Sequence, residues 1–270
     1  MEFLGVLGEK LPHTYSPIIN KRIMELINVE GAYKKFELPK GNMDKFINAI
    51  KILDIRGFNI TIPYKEVVIP FLDSISEEAR NIGAVNTVVN RAGKLYGYNT
   101  DYFGFDSTLK ANKIDVKGKI TVILGSGGAS KAIREVLLAN GAEKVYIVSR
   151  NPNDSSENCK DKRVKLIKYD ELSNLEGYLL VNSTPVGMYP NIGKSPVGEE
   201  IINRYQAVVD IVYNPTETEI LRIAKKLGKI SVGGLYMLVG QAIKAEEIFH
   251  QIEIKEEVIN VVYNELKKNF

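Results

Sequence analysis

Polar residues able to do chemistry gather in this sequence where apolar runs stop. His13-Thr14-Tyr15-Ser16-Pro17 sets hydroxyls beside a helix start. Asn59-Ile60-Thr61-Ile62-Pro63-Tyr64-Lys65 puts Asn59 and Thr61 on one face of a strand, because alternate strand residues share a face, and delivers Lys65 just past a proline turn. Gly83-Ala84-Val85-Asn86-Thr87 and Gly97-Tyr98-Asn99-Thr100-Asp101 each end in amide, hydroxyl or carboxylate groups. Such groups together suit a small polyhydroxylated ligand. Paired donors and acceptors discriminate strongly, since the wrong ligand leaves buried groups unbonded.

A second kind of chemistry is written in Val122-Ile123-Leu124-Gly125-Ser126-Gly127-Gly128-Ala129-Ser130. The spacing is G-x-G-x-x-S, after an apolar strand and before a helix. Gly125 makes the tight turn, Gly127 lets backbone approach a pyrophosphate, and the helix start supplies free N–H groups. At the next strand end, Ile147-Val148-Ser149-Arg150-Asn151, the acid that would bind a ribose 2′-hydroxyl is missing. Arg150 stands there instead, and a guanidinium favours the 2′-phosphate of NADP through charge-assisted hydrogen bonds.

The elements that must hold these groups read as α/β. Phe3–Val6, Tyr33–Leu38 and Phe58–Ile62 are strands, with helices at Pro17–Val29, capped by Ser16, and Met43–Leu53. Val85–Asn90 and Lys94–Tyr98 flank a hairpin turn at Arg91-Ala92-Gly93. From Lys119 the rhythm is strand, helix, strand: Lys119–Leu124, a helix over Gly128–Ala139, then strands at Lys144–Val148, Lys165–Ile167, Leu179–Asn182 and Ala207–Ile211. That alternation predicts a parallel sheet with crossover helices. Two helices follow from Leu235. The stretch Asn151–Asp161 reads as a polar surface loop.

Composition narrows the classes. Apolar residues make up 44%, enough for a core. The 36 Lys and Arg against 33 Asp and Glu leave a formal charge of +3, too little to argue for nucleic acid or a membrane. The single cysteine, Cys159, forms no intrachain disulfide and fits a reducing compartment. With two histidines and one cysteine far apart, no metal site is expected. The start shows no signal-peptide pattern and no apolar run is long enough to span a membrane, so a cytoplasmic protein is expected. Alone, Asp101 reads as a helix N-cap, His250 as a structural or solvated residue, His13 as a hydrogen-bonding one, and Tyr15 and Tyr98 as core or site walls.

Taken in order, His13–Pro17 with Asn20, Asn59–Lys65, Gly83–Thr87, Asn99–Asp101 with Gly104, Gly125–Ser130, Asn182–Met188, Asp210–Pro215 and Gly234–Gln241 cover nearly the whole chain. In this the sequence resembles the shikimate dehydrogenase family. The resemblance implies two α/β domains with a deep cleft between them. One is a discontinuous substrate domain, 1–101 plus 235–270; the other is a Rossmann-type NADP-binding domain, 102–234. It implies NADPH-dependent reduction of 3-dehydroshikimate to shikimate on the route to chorismate and the aromatic amino acids, by a monomer or homodimer.

By the same resemblance Lys65 and Asp101 are the catalytic pair. Thr14, Ser16, Thr61, Asn86, Tyr213 and Gln241 join them in binding substrate. Gly125, Ser126, Gly127, Gly128, Ala129, Ser149, Arg150, Asn151, Thr184, Ile211, Gly234 and Met237 hold the cofactor. Thr14 departs from the family's usual serine, which bears on selectivity between shikimate and quinate. Hydride arriving at a ketone builds negative charge on its oxygen, and a proton donor or fixed cation there lowers the barrier. Either Lys65 or Asp101 can move that proton. The rival readings are a quinate or dual-specificity dehydrogenase using NAD, and a ligand-sensing protein without turnover. The second of these needs neither Lys65 nor Asp101.

Overall fold

The computed structural model describes residues 1–12, 14–151 and 161–268. His13, Cys159 and Asp154, with most of the expected polar loop, lie outside the described residues. Contacts divide the chain into two units: Met1–Gly104 with Val239–Glu265, and Phe105–Leu238 with Leu266–Phe270. The sequence had suggested breaks after residues 101 and 234. The contact boundaries fall after Gly104 and Leu238, inside two helices, Thr100–Ala111 and Leu235–His250.

The first unit is built on a six-stranded sheet. Its strands are β1 (Glu2–Gly8), β2 (Gly31–Glu37), β3 (Gly57–Ile60), β4 (Ser74–Ile75), β5 (Thr87–Arg91) and β6 (Lys94–Tyr98), in the order β2-β1-β3-β5-β6-β4. β1 pairs in parallel with β2 and β3, while β5 runs antiparallel to both β3 and β6. The hairpin turn carries Ala92 and Gly93 at φ 52° and 82°, the left-handed pair that a tight hairpin requires.

Alternation puts both faces of this sheet to use. Leu7 and Val88 join one core with Phe58, Ile60 and Leu95, against α2 (Met43–Ile52) through Met43, Ile47 and Ile50. Leu4 and Val89, of opposite parity, join the other core with Met24 of α1 (Ser16–Leu26) and with Ala245, Ile248 and Phe249. The last three belong to α9 (Leu235–His250), so a segment far along the chain completes the first unit's core. Tyr98 packs against this second core. His250 is also structural: only 5% of its side chain is exposed, and it lies 2.8 Å from Glu246 and 2.9 Å from Glu2.

Three short elements fell below the sequence signal: α3 (Tyr64–Val67), α4 (Glu77–Ile82) and β4. The first helix also differs from expectation. Tyr15 occupies its N-cap position and Ser16 is already helical. The helix ends at Leu26, followed by Asn28 at φ 56°.

The second unit carries a six-stranded sheet of order β12-β11-β10-β7-β8-β9. Its strands are β7 (Ile120–Leu124), β8 (Lys144–Val148), β9 (Val164–Ile167), β10 (Leu179–Asn182), β11 (Ala207–Asp210) and β12 (Ile230–Val232). Every pairing is parallel. The apolar runs of β7, β10 and β11 are the mark of strands covered on both faces, and β10 and β11 are buried at every residue. From β7 the chain builds outward through β8 and β9, then returns to lay β10, β11 and β12 on the other side. The strand order therefore reverses between β7 and β10, where ligands of such sheets bind. α5 (Thr100–Ala111) leads into this unit. Within it lie α6 (Gly128–Ala139), α7 (Glu199–Ile202) and α8 (Glu219–Lys226), and α10 (Glu256–Lys267) ends the chain.

Phe249 is fully buried between Leu4, Met24 and Val89. Phe249→Ala should therefore cost the first unit about 3–5 kcal/mol, the usual penalty for emptying such a site. Urea unfolding should show a midpoint well below that of the wild type, and an unchanged midpoint would mean α9 does not complete this core.

Candidate active site

In the first unit the polar strand ends converge. Lys65 follows Pro63 on α3, and its Nζ donates to Asp101 Oδ2 at 2.5 Å. The two side chains are 23% and 13% exposed. Asp101 stands in the first turn of α5 and is not its cap. Asn99 takes that role, its Oδ1 accepting from Tyr102 N at 3.4 Å, which leaves the Asp101 carboxylate for Lys65.

A hydrogen-bonded chain of neutral groups lies in the same unit. Tyr33 Oη donates to Asn59 Oδ1 at 2.6 Å, and Asn59 Nδ2 donates to Thr87 Oγ1 at 2.9 Å. The Thr87 hydroxyl donates on to Asn86 Oδ1 at 3.1 Å, which also accepts from Thr100 N at 2.6 Å. Asn86 Nδ2 reaches Gln241 Oε1 of α9 at 3.4 Å. Asn86, Thr87, Asn99 and Thr100 are all buried. Burial without such partners would cost each polar group free energy, and here the partners are present.

Thr14 and Ser16 form a separate local pair. Thr14 Oγ1 donates to Ser16 Oγ at 3.1 Å and accepts from Ser16 N at 3.2 Å. Thr61 closes the turn into α3, its N donating to Leu7 O and its O accepting from Tyr64 N. The structure thus places Thr14, Ser16, Thr61, Lys65, Asn86, Asp101 and Gln241 in the first unit, and joins Lys65 to Asp101 and Asn86 to Gln241. Tyr213 lies in the second unit. Sequence reasoning counted Asn59, Thr87 and Thr100 among the polar strand-end groups suited to a ligand but gave none of them an individual role, and it read Tyr33 only as the start of a strand. All but Tyr33 sit in the strand-end runs, which was the available signal.

The second unit holds a cavity of about 530 Å³ at the carboxyl ends of its central strands. Gly125, Ser126, Gly127, Ser149, Arg150, Asn151 and Thr184 line it, together with Val148, Tyr169, Ser183, Pro185 and Val186. Gly125 has φ +100°, and a Cβ there would lie 2.9 Å from Thr184 Cγ2. Gly127 caps α6 in extended conformation. Open space surrounds the positions where Cβ atoms of Gly127 and Gly128 would stand, so backbone N–H groups at the helix start are accessible to a diphosphate. Ser126 Oγ donates to Ser149 Oγ at 3.1 Å, tying the loop to the end of β8. Arg150 is exposed beside it. These features fit a dinucleotide bearing a 2′-phosphate.

Gly128 and Ala129 lie in the first turn of α6 and do not line the cavity. Ile211, Gly234 and Met237 are also away from its wall. Gly234 has another reason to be glycine: a Cβ there would stand 2.0 Å from Ile211 O. Ser183 was passed over in the sequence, although it follows the polar end of an apolar strand.

Behind the cavity wall, Asp210 is fully buried at the end of β11. Its Oδ1 accepts from Asn182 Nδ2 at 2.9 Å and Val212 N at 3.0 Å, and its Oδ2 from Thr218 Oγ1 at 2.6 Å. Asn182 Oδ1 in turn accepts from Thr184 N and Thr184 Oγ1. Burial pushes Asp210 up to about 6, its three hydrogen bonds pulling the other way.

Among the described residues no helix is long and apolar enough to cross a membrane, and no cluster of His, Cys, Asp and Glu is set to hold a metal.

A glycine loop at the switch point of a parallel sheet, beside an arginine at the next strand end, defines a dinucleotide-dependent oxidoreductase fold. Its partner unit carries the Lys–Asp pair. Residues 6–88 match the family model described as the shikimate dehydrogenase substrate binding domain. The chain is 46% identical over 270 residues to the shikimate dehydrogenase (NADP(+)) of Clostridium beijerinckii, all of both chains being covered. The crystal structure of shikimate dehydrogenase 1 from Peptoclostridium difficile is 50% identical, with a TM-score of 0.91 over 99% of this chain and 98% of that one. The Thermus thermophilus enzyme, solved in complex with NADP(H) and shikimate, is 32% identical, with a TM-score of 0.87 over 98% and 99%. The chain belongs to the shikimate dehydrogenase family.

The Asp210 shift has a definite sign. Its folded-state value, about 6, lies above the ordinary 3.8, so the native state holds a proton that the unfolded chain has lost. The stability this contributes is complete below about pH 3.8 and is lost as pH rises through about 6. Thermal unfolding of wild type and Asp210→Asn across pH 4–7 should show the wild type losing ground to the variant over that window. Parallel curves would contradict the assignment.

Proposed function

We propose that this protein is an NADP-dependent shikimate dehydrogenase catalysing the reversible reduction of 3-dehydroshikimate to shikimate, the step that feeds chorismate and aromatic amino acid biosynthesis. The observation that carries the mechanism is the Lys65–Asp101 pair, 2.5 Å apart. Bound NADPH supplies the hydride. Lys65 stands where charge develops, donating a proton or a fixed positive charge to the carbonyl oxygen as it becomes an alkoxide. Asp101 keeps the ammonium oriented and accepts a hydrogen bond from a substrate hydroxyl. The two exchange protons as a unit.

The substrate carboxylate is held by the Thr14 and Ser16 hydroxyls, and its ring hydroxyls by Thr61, Asn86 and Gln241, with Tyr213 near the substrate. The unit containing Met1–Gly104 is the substrate-binding domain and that containing Phe105–Leu238 binds NADP. In the latter, Gly125–Ala129 take the diphosphate, and Ser149, Arg150 and Asn151 the 2′-phosphoribose end. Thr184, Ile211, Gly234 and Met237 serve the remainder of the cofactor. A cytoplasmic location, a monomer or homodimer, and no nucleic-acid partner complete the proposal.

Steady-state oxidation of shikimate with NADP and NAD side by side tests this reading, with NADP expected to be the better acceptor. No turnover with either would overturn it. Arg150→Ala should raise KM for NADP by roughly 10-fold or more, the usual worth of a charge-assisted contact. KM for NAD should barely move, and equal effects on both would remove Arg150 from the 2′-phosphate.

Lys65→Ala should lower kcat by roughly 10²–10⁴ while shikimate affinity, followed by titration, changes far less. Asp101→Asn should also lower kcat, and the double variant should lose much less than the product of the two losses, because the residues act together. Greatly weakened binding with kcat retained would make Lys65 a substrate clamp.

A further inference from the structure

The cavity of the second unit has an aromatic lining residue outside the glycine loop and outside the strand end that carries Arg150. It is Tyr169. β8 and β9 are parallel neighbours with Val148 opposite Ile167, and Ser149 N donates to Ile167 O at 3.0 Å. Arg150 and Tyr169 each stand two residues beyond those partners. Adjacent strands lie about 4.8 Å apart, so the sheet delivers both side chains to one edge of the cavity.

The Tyr169 ring is half-buried and packs on the unit's main core, and its carbonyl accepts from Leu172 N at 3.3 Å. A side chain anchored in this way loses little freedom when a ligand arrives. Burial pushes the phenol up and the Arg150 charge pulls it the other way, burial prevailing. The hydroxyl therefore remains a hydrogen-bond donor at neutral pH, in the field of the guanidinium. A phosphate monoester presents three strong acceptor oxygens, of which a bidentate guanidinium takes two. A neutral donor at the same edge suits the third.

We propose that the Tyr169 hydroxyl donates to the adenosine 2′-phosphate of NADP beside Arg150, and so helps set the preference for NADP over NAD. This rests on the reading that the cavity holds that cofactor. Tyr169→Phe keeps the packed ring and removes only the donor. The test is calorimetric titration of wild type and variant with 2′,5′-ADP, 5′-AMP, NADP and NAD, with ³¹P spectra of bound 2′,5′-ADP.

The variant should bind 2′,5′-ADP and NADP roughly 10–100-fold more weakly, the range for a hydrogen bond to a charged group. Affinity for 5′-AMP and NAD should hold, and only the 2′-phosphate resonance should shift. Unchanged affinity for 2′,5′-ADP would overturn the proposal. So would an equal loss for all four ligands, which would make Tyr169 an adenine wall. Wild type binding 5′-AMP as tightly as 2′,5′-ADP would overturn both this proposal and the NADP reading. Preference for 2′,5′-ADP that Tyr169→Phe weakens, without shikimate turnover, would support the proposal while the substrate reading failed.

Discussion

The Lys65 ammonium lies 2.5 Å from the Asp101 carboxylate, and neither group could hold that place through its own segment alone. α3 has four residues, far fewer than a helix needs to persist unaided. It is fixed because Lys65 O accepts from Val85 N at 2.8 Å. Asp101 opens α5, whose cap, Asn99, donates through Nδ2 to Ala84 O at 2.9 Å. Both arms of the ion pair are thus tied to the segment Ala84–Asn86. That segment is tied in turn to β3 through Ile60 N→Asn86 O and to β6 through Asn86 N→Tyr98 O. Part-buried charges are tolerable when paired and bonded in good geometry, and in this unit the sheet provides the geometry.

The second unit meets the same requirement with a different sheet. β10 and β11, buried at every residue, are apolar up to their last positions, and their polar side chains stand at the carboxyl ends. Asn182 ends β10 and Asp210 ends β11, paired in register. Their hydrogen bond joins the turn that begins at Ser183 to the loop from Val212 to Thr218. The cavity wall at Thr184 is positioned by Asn182, which Asp210 positions. The rise in the Asp210 pKa is the physical cost of placing a carboxylate there, and the three donors around it offset part of that cost.

Much of this was legible in the sequence. The glycine loop, the exact span of α6, and the strands β8 and β10 followed from apolar runs bounded by glycine and polar residues, because in a parallel sheet periodicity and burial point the same way. The apolar face of α8, with Ile220, Leu221 and Ala224 buried, was also written in the chain, but within eight residues. The antiparallel centre of the first sheet was visible only as its hairpin, since the pairing of β3 with β5 joins residues far apart in the chain, from Asn59 with Thr87 to Gly57 with Val89. Asp101 was misread as a cap because local preference alone favours it there. Asn99, two residues earlier, starts the helix instead, its Oδ1 accepting from Tyr102 N while its Nδ2 is held on Ala84 O. Tyr33 carried no local signal, as its partner Asn59 lies on a strand two places away in the sheet.

The reliance on asparagine at these strand ends follows from the same constraint. An amide both donates and accepts, so half-buried Asn59 can accept a hydrogen bond from Tyr33 and donate one to Thr87, and buried Asn86 can accept from Thr100 N while donating to Gln241. An aspartate in either place accepts only. It would leave Thr87 or Gln241 to reorient and would add an anion to the unit that holds the Lys65–Asp101 pair. A relay of neutral groups fixes the backbone in the unit and leaves the Lys65–Asp101 pair to supply the charge there. In the mechanism proposed above, these amides hold geometry and leave the proton to the charged pair.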